Sequence, residues 1–76
     1  VIPDIIVSND YGYIKINNQK VKFPKGLYIY IKIIPSTGVI VKINNIEARD
    51  LYWVKIDNDF YIEANGECEI IFQKVS

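Results

Sequence analysis

From Leu27 to Ile34 the odd positions carry Leu27, Ile29, Ile31 and Ile33, while the even positions carry Tyr28, Tyr30, Lys32 and Ile34. Successive side chains of a strand point to opposite faces, so this segment lays an aliphatic stripe on one face and a tyrosine-lysine stripe on the other. A helix would scatter both stripes around its circumference. The same period of two recurs where Val39, Val41 and Ile43 alternate with Ile40, Lys42 and Asn44, and where Phe60, Ile62 and Ala64 alternate with Tyr61 and Glu63. A one-residue slip would bury lysine and expose isoleucine in each case, which makes the register well specified. The apolar half of the chain is dominated by Ile, Val and Tyr, with Leu27 and Leu51 as its only leucines and no Met. Such side chains suit a pleated surface and lose rotamer freedom in helices.

Turn chemistry divides the pattern into short runs. Pro3-Asp4, Ser8-Asn9-Asp10, Asn17-Asn18, Pro24-Lys25-Gly26, Pro35-Ser36-Thr37-Gly38, Asn44-Asn45, Asp57-Asn58-Asp59 and Asn65-Gly66 recur at spacings of about 8–12 residues, as in a small sandwich or barrel. The expected strands are Ile5–Ser8, Tyr13–Ile16, Lys20–Phe23, Leu27–Ile34, Val39–Ile43, Leu51–Ile56, Phe60–Ala64 and Glu69–Val75. Asn65-Gly66 is expected to form a two-residue hairpin turn joining the last two of these, since both residue types tolerate positive φ. Asn17-Asn18-Gln19 and Asp57-Asn58-Asp59 read as longer hairpin loops, and Ile46–Asp50 is the one window for a helical turn. The expected fold is therefore all-β, a compact antiparallel β-sandwich or jelly-roll-like barrel of seven or eight short strands.

Size and charge narrow the function classes. With 76 residues, the chain holds one domain and buries only roughly 60–65% of its unfolded surface. Nine basic and nine acidic residues cancel, so no long-range attraction to nucleic acid or anionic lipid is expected, and self-association is less opposed by repulsion. There is no His, and Cys68 is the sole cysteine, which leaves neither an intrachain disulfide nor a zinc site. Cys68 itself reads as a small buried hydrophobe. No apolar run reaches bilayer-spanning length. The start at Val1, without Met, suggests a processed product or part of a longer chain.

Catalytic chemistry finds few candidates. Nucleophilic hydrolysis usually needs a base beside Ser, Cys or Thr, and Ser8, Ser36 and Ser76 stand in turns or at the terminus. The four glycines are isolated in separate segments, so no phosphate-binding loop is present. Asp57, Asp59, Glu63, Glu67 and Glu69 offer paired carboxylates, but a domain this small has little room for the cleft that would raise one pKa. Asp57-Asn58-Asp59 supplies hard oxygens for calcium without the glycine and final Glu of a calcium loop; a solvated turn is the simpler reading. No enzyme activity, cofactor or metal is expected.

The constellation that asks for an explanation lies opposite the aliphatic stripes: Tyr13, Lys15, Tyr28, Tyr30, Lys32, Lys42, Trp53, Lys55 and Tyr61. Tyr and Trp join an apolar body to a polar tip and concentrate at interfaces. The expectation is that a protein partner or second subunit covers them, in a building block or attachment domain of a virion or cell-surface fibre. Stacking on sugars in a lectin-like groove is a second reading, and stacking on single-stranded nucleic-acid bases a third. Plain cross-strand pairing on a half-exposed sheet accounts for part of the set. Trp53 alternates with both Leu51 and Lys55, which leaves its direction open. The stretch Pro35-Ser36-Thr37-Gly38-Val39-Ile40-Val41-Lys42-Ile43-Asn44 resembles the opening of PEGA-type surface β-modules, which share a Pro-Ser-x-Gly turn before a strand. That likeness stops at Asn44, because the later proline-rich turn is absent.

Overall fold

A computed structural model describes residues 2–48, 51–56 and 58–75, with the backbone alone at Leu27, Tyr28 and 51–56. Among these residues there is no helix, and six strands replace the seven or eight expected: β1 Tyr11–Phe23, β2 Leu27–Pro35, β3 Val41–Ile43, β4 Ile46–Ala48, β5 Leu51–Ile56 and β6 Phe60–Lys74. All strand pairs are antiparallel and belong to one sheet.

The long β6 organises the sheet. One of its edges carries β1 from Phe23↔Phe60 to Tyr11↔Gln73. Its other edge is shared: β3 pairs with the first half (Ile43↔Ile62, Val41↔Ala64) and β2 with the second (Pro35↔Cys68 to Ile29↔Lys74). Outside these lie β4 against β3 and β5 against β2.

Asn65-Gly66 is therefore not a hairpin turn, and β6 runs straight through it. The apolar phase explains why. A two-residue turn there would have set Glu67 and Glu69 on the face of Ile62 and Ala64. The continuous strand instead keeps Phe60, Ile62, Ala64, Cys68, Ile70 and Phe72 on one buried face. Asn17-Asn18-Gln19 likewise lies within β1. Between Asn17↔Glu67 and Gln19↔Ala64 the register shifts, leaving Asn18 opposite Asn65 and Gly66. Asn18 adopts φ 51°, a conformation Asn tolerates better than other side chains. Such a bulge flips the facing of one strand and bends it. Accordingly β1 buries Ile16 before Asn18 and Val21 and Phe23 after it.

The bend folds the β1–β6 ribbon over. Fifteen extended residues would span about 50 Å, yet the longest dimension of the molecule is 33 Å. Phe23, at one end of the ribbon, meets both its neighbour Phe60 (6.1 Å, edge to face) and Phe72 near the opposite end (5.6 Å, edge to face). Between the two limbs the even residues of β6 pack with Ile29, Ile31 and Ile33 of β2, Val41 of β3 and Ala48 of β4.

Two more expectations change. Asn44 (φ 48°) and Asn45 (φ 70°) form the two-residue, doubly left-handed turn between β3 and β4, so Ile46–Ala48 is strand and not a helical turn; Arg49 and Asp50 lie outside the described residues. Ile5–Ser8 is not a strand. That segment makes one parallel bridge, Asp4↔Lys22, in which the Ile5 N–H donates to Lys22 O (2.8 Å) and the Lys22 N–H to Pro3 O (3.0 Å). Ile5 and Val7 pack against the core.

Candidate functional site

Turning the even residues of β6 inward turns its odd residues outward, and strand register extends that outer face to both neighbours. Tyr11, Gln73 and Tyr30 form one row, Tyr13, Ile71 and Lys32 the next, and Lys15, Glu69 and Ile34 a third. Trp53 is the register partner of Tyr30, and Lys55 that of Tyr28; the side chains of Tyr28, Trp53 and Lys55 lie outside the described residues. The expected Tyr13, Lys15, Tyr30 and Lys32 thus share a surface. Ile34 joins them, as the alternation of Leu27–Ile34 places it, and so do Tyr11 and Ile71, which lie outside the expected aromatic-lysine set. Tyr11 was legible as one period before Tyr13, and Ile71 as the odd-phase residue between Glu69 and Gln73.

Charge on this face is largely paired within the face. The Tyr13 hydroxyl donates to Glu69 Oε1 (3.0 Å), and Lys15 Nζ meets Glu67 Oε1 at 2.9 Å. Each contact runs diagonally, one step beyond the direct register partner. The bond to the Glu69 carboxylate holds the Tyr13 pKa above its ordinary value, and the bond to Glu67 raises that of Lys15. Exposed pairs of this kind add little stability. What they leave open is apolar: Tyr11 is 70% exposed, Tyr13 57%, Tyr30 40% and Ile71 39%. Tyr11, Tyr30, Lys32, Ile71, Phe72 and Gln73 line a shallow depression of about 150 Å³.

Lys42 and Tyr61 occupy the other limb of the folded ribbon. Lys20 Nζ sits 4.9 Å and Lys22 Nζ 5.9 Å from the centre of the Tyr61 ring, and Asn44 Oδ1 accepts the Tyr61 N–H at 2.8 Å. Lys42 and Lys20 both stand opposite Glu63, beside a groove of about 290 Å³ that Asn18, Gln19 and Asn65 also line. The single aromatic-lysine face expected from sequence is therefore two surfaces divided by the bend.

The carboxylates are dispersed. Asp59 Oδ1 lies 3.5 Å from both Lys22 Nζ and Lys25 Nζ, and its backbone oxygen accepts Asn44 Nδ2 at 3.1 Å. Asp57, the other half of the calcium reading, lies outside the described residues. Among those described, no three His, Cys, Asp or Glu residues gather as a metal site would require, and no helix is long and apolar enough to cross a membrane. Cys68 is buried in the core, where burial pushes its thiol pKa up.

The fold and surface together define a small antiparallel all-β domain with an apolar, tyrosine-rich outer face. Comparison with known protein families, curated proteins and solved structures finds no match.

Proposed function

We propose that this chain is a non-catalytic interaction module whose β1–β6–β2 outer face is covered by protein, as in a building block or attachment domain of a larger assembly such as a virion or cell-surface fibre. In this reading the folded-over ribbon serves as the two layers of a sandwich-like or jelly-roll-like shell. The observation that carries the proposal is the run of exposed Tyr11, Tyr13, Tyr30 and Ile71 across three paired strands. Contiguous apolar surface with a polar rim is what protein contacts use. Tyrosine contributes large contact area at small entropic cost, and the ion pair of Lys15 with Glu67 lowers the net charge that a partner would otherwise have to desolvate.

Sedimentation of the wild type against the double variant Tyr30→Ser, Ile71→Ser tests this. The expected result is concentration-dependent association of the wild type that the variant lacks while keeping its thermal midpoint. A wild type that stays monomeric at every concentration and binds sugars on a glycan array, with loss in the same variant, would replace the protein partner by a carbohydrate. Wild type and variant behaving identically in both measurements would remove the ground for any role of this face.

A further inference from the structure

The hydrogen-bond phase of β1 shows which of its backbone groups are already used. The Lys74 N–H donates to Asp10 O at 2.7 Å, which continues the ladder in which Gly12, Ile14 and Ile16 bond to β6. Antiparallel pairing alternates, so the N–H and C=O groups of Tyr11, Tyr13 and Lys15 point away from β6. Beyond the bulge the phase reverses and Lys22 points outward, where Pro3 and Ile5 meet it. Between Tyr11 and Lys15 no strand among the described residues pairs with that outer edge.

A groove of about 500 Å³ borders the same edge, with the segment 4–9 as its far wall. Ile5, Ile14 and Phe72 lie along it, and Ile6, 84% exposed, stands on the wall. The Phe72 ring packs directly against Gly12, in the space that a side chain there would take. The groove therefore offers backbone donors and acceptors without a strand partner among the described residues along one side, and apolar surface along its length. An extended chain satisfies both: its backbone completes the ladder and every second side chain turns onto the apolar residues. A helix would leave the edge groups unmet, and a folded surface would not enter between the walls.

We propose that the outer edge of β1 from Tyr11 to Lys15 receives an extended segment of a partner protein, with apolar residues at alternate positions, as an added strand. This rests on the reading of the chain as an interaction module and names the form its partner takes. The test is selection from a phage-displayed library of short linear peptides, followed by binding of the enriched peptides to Tyr13→Ala and Tyr13→Pro. Both variants lose the ring and its bond to Glu69, but only proline removes the outward N–H, and an edge strand tolerates proline at such a position. Expected are enriched peptides with apolar residues two apart, bound by the wild type and by Tyr13→Ala and lost in Tyr13→Pro. Should Tyr13→Pro not fold, hydrogen exchange of the wild type decides: peptide should slow exchange at the Tyr11 and Tyr13 amides by roughly tenfold or more. No enriched peptide, equal binding by Tyr13→Pro, or unchanged exchange at those amides would each overturn the proposal. Each would leave the outer-face reading standing, since that is tested separately by the Tyr30 and Ile71 substitutions.

Discussion

Gly12→Ala probes the folded-over ribbon at its tightest point. A β-carbon on Gly12 would lie 2.0 Å from Phe72 Cζ, whereas ordinary contact begins near 3.4 Å, so the ring must withdraw by about 1.4 Å. Withdrawal disturbs its packing, because Phe72 is buried and its ring stands edge to face with Phe23 at 5.6 Å. Losing that aromatic pair costs about 0.5–1.5 kcal/mol, and an off-rotamer Phe72 about as much again. Replacing a strand glycine returns about 0.5–1 kcal/mol of backbone entropy. The net expectation is a destabilisation of about 1 kcal/mol, the middle of a range of roughly 0–2.5 kcal/mol. That is a sizeable part of the roughly 4–11 kcal/mol ordinary for a domain this size. Urea denaturation followed by circular dichroism should show a lowered midpoint at unchanged slope. In a double-mutant cycle, Phe72→Leu should relieve the penalty of Gly12→Ala. A Gly12→Ala protein as stable as the wild type, or a cycle with no coupling, would mean that the two ends of the ribbon do not meet as described.

Two further outcomes follow from local chemistry. In the β3–β4 turn Asn44 and Asn45 both have positive φ, but only Asn44 uses its side chain, bonding Asp59 O and the Tyr61 N–H; thermal denaturation should find Asn45→Gly neutral or stabilising and Asn44→Gly destabilised by about 1–2 kcal/mol. Tyr13, Lys15 and Cys68 all have folded-state pKa values raised above 10.0, 10.5 and 9.0 respectively, so their contribution is complete below those unfolded values and is lost as pH rises through the folded ones. The urea midpoint should therefore hold from neutral pH to near 9 and fall above it, with a shallower fall in Cys68→Ala.

Much of the fold was legible in period-two alternation, because burial on one face disciplines every second residue of Ile29–Ile33 and Phe60–Ala64. What misled was turn chemistry read without phase. Asn-Gly favours a tight hairpin in isolation, yet at Asn65-Gly66 the hairpin would have carried Glu67 and Glu69 onto the core face, and apolar burial outweighs local preference there. Gly66 serves close approach instead: a β-carbon on it would sit 2.7 Å from Val39 Cγ2, and the Asn65 side chain accepts the Ile40 N–H at 2.8 Å. The hairpin signature belonged to Asn44-Asn45, whose flanking Ile43 and Ile46 face each other in register. Tyr13, Tyr30 and Lys32 share a face because alternation fixes the facing of each within its own strand and register joins the strands. Separating Lys42 and Tyr61 from them required the bend, which a pattern of period two does not encode.

The same bulge links the core to the two surfaces. Because Asn18 reverses the facing of β1, Ile16 and Val21 both reach the core although five positions apart, a separation that an unbroken strand would place on opposite faces. With the ribbon bent at that point, the odd residues of β6 cannot form one plane: Glu69, Ile71 and Gln73 join the tyrosines of β1 and β2, while Tyr61 and Glu63 join Lys20 and Lys42. The reversal also switches which backbone groups of β1 look outward, from Tyr11, Tyr13 and Lys15 in the first limb to Lys20 and Lys22 in the second. Segment 3–5 meets the second set at Lys22. The first set, beside the exposed tyrosines, is left as the place where a further strand completes the sheet.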